Sequence, residues 1–371
     1  MSRGAGVSDQ LRILAIEPYY GGSHKAFLDG LIRHSRHRWQ VLTMPPRKWK
    51  WRMRGAAVAL RDRLEAEFDL LFVTDFLDLA TLVGLCPERL GRVPKVAYFH
   101  ENQLTYPVRH ETERDYHYGF TNITTCLAAD KVFFNSEFHR REFIEAVRGL
   151  LRRMPDEVPE GLVEAIAERS AVLPVGCDLA SLDIEAPPRE GSAVVLWNHR
   201  WEYDKNPEGF FTAIFDLVNE GLEFRVAVAG QRFRDVPLIF DVAERRLADR
   251  LVQFGYLESR AEYARLLRTA DIAVSTAHHE FFGMAIVEAV YCGCYPLLPR
   301  KLTYPELIPP EHHERHLYDG EDDLIERLRR AILEIEETRR VNLAQAVERF
   351  DWSQVAPRYD AALEEVAASR R

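Results

Sequence analysis

Short apolar runs alternate with amphipathic stretches along almost the whole chain. Leu11–Tyr20 (LRILAIEPYY) reads as a buried strand, and GGSHKAFLDGLIRHS then switches to helical spacing, with Ser23 at the expected N-cap. WQVLTMP, FDLLFVTDF, PKVAYFHEN, DKVFFN and SAVLPVGCD read as further strands, with helical patterns between the first pairs and after DKVFFN. Apolar strands alternating with helices imply a parallel sheet covered on both faces. Leu179–Ser192 (LASLDIEAPPREGS) breaks the pattern with a proline pair and charges, as a linker would. After it the grammar restarts, with strands AVVLWNH, FRVAVAG, LVQFGYL, ADIAVSTA and YPLLP and helices NPEGFFTAIFDLVNEG and FFGMAIVEAVYCG. The expected class is α/β, with two Rossmann-like, doubly wound parallel-sheet domains facing a central cleft. Residues 1–178 form the first, 179–192 the linker, 193–350 the second, and 351–371 a terminal helix placed to pack back on the first.

Composition narrows this picture. At 371 residues the chain exceeds the roughly 250–300 that one hydrophobic core supports. No stretch reaches about 18 consecutive apolar residues, and MSRGAGVSDQ lacks the apolar run of a signal peptide. Five scattered cysteines (Cys86, Cys126, Cys177, Cys292, Cys294) without CxxC spacing suggest reduced thiols in a cytoplasm, with neither disulfides nor a zinc site. The net charge of −9 speaks against bulk nucleic-acid binding, yet Arg33–Arg63 holds ten Lys or Arg and a single acid, Asp62. A basic block in an acidic chain points to a local patch with its own task.

Ligands of open parallel sheets bind where strand ends pass into helices, and four such loops carry suitable side chains. In PYYGGSHK, Gly21 and Gly22 suit either an anion-binding helix start or a simple tight turn. FHENQLTYP sets His100, Glu101, Asn102, Gln103 and Tyr106 beyond a strand, with His100 suited to proton handling or sugar hydroxyls. A satisfied polar loop is the alternative. In NHRWEYDKNPEGF, Arg200 and Lys205 can converge on a diphosphate before Asn206 and Pro207 start a helix. In HHEFFGMAIVEAVYCG, Gly283 opens a helix whose N–H groups, at Gly283, Met284 and Ala285, face a ligand anion. Glu288 stands among Ile286, Val287, Ala289 and Val290, where a carboxylate can take ribose hydroxyls, and Glu280 can reach the group beyond the phosphates.

Glu280 to Glu288, as E-F-F-G-x-x-x-x-E with Phe281 and Phe282 inside it, resembles the E-x7-E motif of retaining glycosyltransferases of family four, which have the GT-B architecture. Arg200 and Lys205 match that family's diphosphate-holding pair, and PVGCD resembles the end of its first domain. In the first half, EPYYGGSHK, PPRKWKWRMR, TDFLDLA and YFHENQLTYP are similar to the tRNA-queuosine alpha-mannosyltransferase family. The resemblance implies transfer of mannose from GDP-mannose to a cyclopentenediol hydroxyl of queuosine in the anticodon loop of tRNA-Asp, with net retention. His100 and Glu280 would be catalytic, Glu280 holding mannose hydroxyls and Glu288 the ribose. Gly21, Gly22, Arg200, Lys205 and Phe281 through Ala285 would complete the donor site. No metal or other cofactor is expected, because cations and N–H groups cover the leaving charge.

The tRNA partner has support from the residues themselves. Arg47, Lys48, Lys50, Arg52 and Arg54 alternate with Trp49 and Trp51, a composition that grips phosphates and stacks on splayed bases, although an edge strand over core tryptophans would look the same. Asp75 and Asp78 can accept from a diol, while Asp75 is also a candidate helix cap. Three alternatives remain: another sugar nucleotide with a lipid or polysaccharide acceptor, a nucleotide-sugar epimerase, and a non-catalytic tRNA binder. A lipid acceptor would want an amphipathic basic helix, which the prolines and alternating tryptophans do not suggest. A dehydrogenase fits least, since no G-x-G-x-x-G follows a strand. The oligomeric state is not legible.

Overall fold

The computed structural model describes residues 10–64, 67–108, 114–232 and 235–369. The chain forms two compact units, one running up to Gly176 and resuming at Trp352, the other spanning Cys177–Asp351.

In the first unit, β1 (Arg12–Glu17), β2 (Arg38–Thr43), β3 (Leu70–Thr74), β4 (Lys95–Phe99), β5 (Lys131–Phe134) and β6 (Ser170–Val172) make a sheet of order β2-β1-β3-β4-β5-β6. Every pairing is parallel, with Ile13 opposite both Trp39 and Leu70. β3 and β4 are buried throughout, as a sheet covered on both faces requires. The Gly22–His34 helix is capped by the backbone of Gly21 rather than by the expected Ser23. A Cβ at Gly21 would lie 2.3 Å from Pro46, whereas one at Gly22 would meet nothing within 4 Å but Gly22 adopts φ +54°. The two glycines thus serve different ends, a close approach and a left-handed turn.

PPRKWKWRMR departs from the sequence expectation, because Trp49–Leu60 is a helix. Its buried residues include Arg52, Met53, Ala56, Ala57 and Leu60, an i, i+3/i+4 stripe that the alternating tryptophans mask. The Trp352–Ala368 helix belongs to this unit. Its Trp352 ring lies where Cβ atoms on Gly30 and Gly176 would be, 2.4 and 2.3 Å away, and parallel to His34 with centroids 5.9 Å apart.

In the second unit, β7 (Ala193–Trp197), β8 (Phe224–Ala229), β9 (Leu251–Gly255), β10 (Ile272–Val274), β11 (Tyr295–Pro299) and β12 (Leu317–Tyr318) pair in parallel in the order β12-β11-β10-β7-β8-β9. An aromatic core of Trp197, Trp201, Phe210, Phe211 and Phe240 fills one side. Residues 179–192 lie within this unit, where Arg189 donates to the carbonyls of Arg268 and Cys292. All five cysteines are free. Among the described residues no helix is long and apolar enough to cross a membrane.

Candidate active site

The glutamate loop of the second unit follows β10. Gly283 caps the Met284–Tyr291 helix at φ +89°, and a Cβ there would also press on Leu307 at 3.2 Å. A helix leaves its first N–H groups without intrahelical acceptors, so the Met284 and Ala285 amides open toward whatever occupies the loop. Phe281 and Phe282 are 5% exposed and act as packing, Phe281 on His279 and Phe282 edge-on to Phe350.

Lys205 is 6% exposed, and its Nζ lies 3.1 Å from Asp204 Oδ2, 3.2 Å from Glu280 Oε2 and 2.8 Å from the His279 carbonyl. Burial alone would push the Glu280 carboxyl up, but Lys205, the two neighbouring histidines and the Phe282 N–H outweigh it and hold the group at about 2. Glu280 is thus a fixed anion that only accepts hydrogen bonds. Burial holds His199 and His279 neutral, each lowered to about 4. Arg200, on the exposed side of the same loop, lies 3.2 Å from Glu202. Asn206 and Pro207 start the next helix as the sequence suggests, Asn206 accepting from the Gly209 amide at 3.1 Å.

Glu288 is buried and gripped from the Arg260–Thr269 helix, which sequence reasoning overlooked. Arg260 approaches one carboxylate oxygen at 2.8 Å, and the Tyr263 hydroxyl donates to the other at 3.0 Å. Asn198 joins the set by donating to the Tyr263 oxygen and the Ala285 carbonyl. Burial raises Glu288 above the usual carboxylate range against the opposing pull of Arg260. Nothing in the local spacing around Glu288 announces a partner twenty-five residues upstream.

In the first unit, the ends of β1, β3 and β4 bring together Glu17, His24, Asp75 and His100. His24 Nδ1 is 3.0 Å from Glu17 Oε2, and the His24 and His100 rings lie 4.2 Å apart. Burial lowers His24, but Glu17 above all, with Asp75 and Glu101, raises it to about 9. His100 is pushed the other way by burial and by the charge of His24, so a neutral ring sits beside an imidazolium. His100 Nε2 has no hydrogen-bond partner among the described residues.

Glu17, His24 and His100 also offer metal-type donor atoms within 4.8 Å of one another, a cluster the sequence did not suggest. The Glu17–His24 pair already satisfies itself as a charged hydrogen bond. Asp75 is 1% exposed and accepts from the His100 amide at 2.9 Å, so it shapes the loop. Asp78, not Asp75, caps the following helix by accepting from the Thr81 amide. Asn102, a candidate for acceptor contact by its place in the sequence, is wholly buried and folds its own loop by accepting from the Leu104 and Thr105 amides. Gln103 donates to Glu101 at 2.9 Å, and the Tyr106 amide donates to the Asn102 carbonyl.

On the basic helix, Arg47, Lys48, Lys50, Trp51 and Arg54 are exposed and Trp49 is partly buried. Arg52 is the exception, 7% exposed and donating to the Pro45 carbonyl at 3.1 Å, so it anchors the helix. Tyr118, from the Tyr116–Ala128 helix, adds a ring that the sequence reading missed. It lies 5.1 Å from Trp49, with Lys50 at 5.9 Å and Arg54 at 5.3 Å from its centroid.

Residues 12–177 match the family described as tRNA-queuosine alpha-mannosyltransferase N-terminal, and residues 182–349 match glycosyl transferases group 1. A tRNA-queuosine alpha-mannosyltransferase of Drosophila melanogaster is 39% identical over 328 residues, 85% of each chain. The chain belongs to the tRNA-queuosine alpha-mannosyltransferase family. It is a glycosyltransferase. More distantly, a GDP-mannose-dependent alpha-(1-6)-phosphatidylinositol dimannoside mannosyltransferase of Mycobacterium tuberculosis is 26% identical over 68% of this chain and 62% of its own length.

Among solved structures, sucrose-phosphate synthase from Thermosynechococcus elongatus superposes with a TM-score of 0.72 at 14% identity, covering 97% of this chain and all of that one. Anabaena HepE in complex with UDP and glucose gives 0.67 at 16% identity, over 96% and 100%. These likenesses establish the fold of this family member, two Rossmann-like units of the GT-B class.

Proposed function

We propose that this chain transfers mannose from GDP-mannose to a cyclopentenediol hydroxyl of queuosine in the anticodon loop of tRNA-Asp, with retention at the sugar carbon. The observation that carries the reading is the 39% identity, over 85% of both chains, to a relative of that name. The GDP-mannose dependence named for the mycobacterial relative supports the donor.

The second unit holds the donor in this reading. Glu288, oriented by Arg260 and Tyr263, accepts the ribose hydroxyls, and Glu280, kept anionic by Lys205, accepts the mannose hydroxyls. The Met284 and Ala285 amides, with Arg200 and Lys205, meet the diphosphate, so the leaving charge is covered without a metal ion. The departing phosphate oxygen takes the acceptor proton as the hydroxyl attacks from the same face. Neutral His100, backed by His24 and Glu17, lines the acceptor side of the transfer. The five free cysteines support a reducing, cytoplasmic setting.

One observation favours a lipid acceptor, since the basic block is helical and exposes Trp51 and Val58. Its apolar face is already taken, however, with Met53, Ala56, Ala57 and Leu60 completely buried. Apart from Val58 and Ala59, what the helix exposes is cationic and aromatic, the composition that suits RNA.

Nucleoside mass spectrometry of queuosine-containing tRNA incubated with the enzyme and GDP-mannose decides the matter. A hexose added to queuosine is the expected product. Transfer to lipid vesicles alone, or to no acceptor from any sugar nucleotide, overturns the reading.

A further inference from the structure

A cavity of about 260 Å³ opens in the first unit beside the loop that carries His100. Among the described residues, Leu104, Arg114, Tyr116, Ala146, Gly149 and Arg153 line it. Arg153 donates to the Tyr116 hydroxyl at 3.0 Å, and its guanidinium carbon lies 4.8 Å from the centre of that ring. Arg114 donates to the Tyr106 carbonyl at 3.0 Å, tying the cavity wall to the loop that carries His100. Leu104, Ala146 and Gly149 provide an apolar floor. A Cβ on Gly149 would meet nothing within 4 Å, so the floor is open at that point.

We propose that this cavity is a subsite for one nucleotide of the acceptor RNA, taking its phosphate on Arg153 and the face of its sugar or base on Leu104, Ala146 and Gly149. The inference rests on the tRNA reading above and adds a contact distinct from the basic helix. Size favours a part of a ligand over a whole one, because the volume falls just below the roughly 300–1,000 Å³ of complete small-molecule sites. Charge favours a phosphodiester, for which the arginine fork is the matching donor geometry. Position favours RNA that already reaches the acceptor loop, since Leu104 belongs to the same stretch as His100 and Gln103. Unstacked nucleotides are held in this way, by a cation on the backbone and an apolar or aromatic wall on the base.

Two variants test the site by independent means. Arg153→Ala removes a cation, and Gly149→Leu fills the cavity without touching either arginine. Gly149 lies inside the Glu137–Leu151 helix, where glycine is the least favoured residue but proline, so that variant retains its fold. Fluorescence anisotropy with queuosine tRNA over a salt series is expected to show about tenfold weaker binding for both. The log–log salt slope falls by about one for Arg153→Ala and stays unchanged for Gly149→Leu. GDP-mannose affinity by calorimetry is expected to be unchanged. Wild-type RNA affinity in both variants overturns the subsite and leaves the proposed function standing, whereas a wild-type chain that binds no tRNA overturns both. If inorganic phosphate binds the wild type and not Arg153→Ala while RNA affinity is equal, the cavity is a free-phosphate site and the RNA assignment falls.

Discussion

The glutamate loop of the second unit and the basic helix of the first handle charge in opposite ways. Around Glu280 and Glu288 the charged partners are largely buried and matched before any ligand arrives, Lys205 to Asp204 and Glu280, Arg260 to Glu288. Along the basic helix and its N-cap, Lys48, Lys50 and Arg54 stand in solvent, Lys50 and Arg54 beside aromatic rings. A buried, matched set is rigid and selective, and removing one member leaves an uncompensated charge at a cost of several kcal/mol. An exposed set is screened and cheap to alter one residue at a time, acting through the number of phosphates it neutralises. The first arrangement suits a small ligand with fixed geometry, and the second suits a long polyanion.

The sharpest way to break this contrast is Lys205→Ala. It strands Asp204 and Glu280, and we expect a loss of about 3–5 kcal/mol in stability together with donor affinity, read by denaturant melts and calorimetry. The pH dependence carries its own sign. Glu280 is held at about 2, below its unfolded value of about 4.3, so its contribution is present above that value and is lost as pH falls toward about 2. Without Lys205 the acid-unfolding midpoint moves up in pH.

Next in size is Glu17→Gln in the first unit. His24 is raised to about 9 from an unfolded value of about 6.5, so it stabilises fully below about 6.5 and the gain, of about 2–3 kcal/mol, is lost as pH rises through about 9. In the variant that alkaline decline disappears from the stability profile. Glu288→Gln keeps the shape but not the charge and is expected to weaken GDP-mannose binding about tenfold to a hundredfold, with tRNA affinity unchanged. Smallest per residue is the triple change of Lys48, Lys50 and Arg54 to Ala. It lowers tRNA affinity and reduces the magnitude of the salt slope by about two to three, while stability stays within about 0.5 kcal/mol.

Local chemistry was legible along the chain. The strands, the Gly21–Gly22 turn, the Asn206–Pro207 helix start and the Gly283 helix start each follow from neighbouring residues. What escaped reading is what distant residues do together. The basic block is a helix because Met53, Ala56, Ala57 and Leu60 bury against the unit's core, and tertiary burial overrides the period-two look of its tryptophans. The Tyr116–Ala128 helix carries Gly119 and β-branched Thr121, Ile123, Thr124 and Thr125, all poor helix formers, yet buries Thr121, Ile123 and Thr125, with Gly119 leaving room for Leu104. Arg260 and Tyr263 meet Glu288, and Glu17 and His24 meet His100, only once strands far apart in sequence lie side by side. The burial of Arg52, Asp75, Asn102, Phe281 and Phe282 is likewise something that polarity or motif position alone did not reveal.

Steady-state mannose transfer to queuosine tRNA, with GDP-mannose and tRNA varied separately, tests the division of labour most directly. The account predicts that Glu288→Gln raises KM for GDP-mannose alone and that the Lys48/Lys50/Arg54 triple variant raises KM for tRNA alone. Exchanged or equal effects of the two variants on both constants would contradict it.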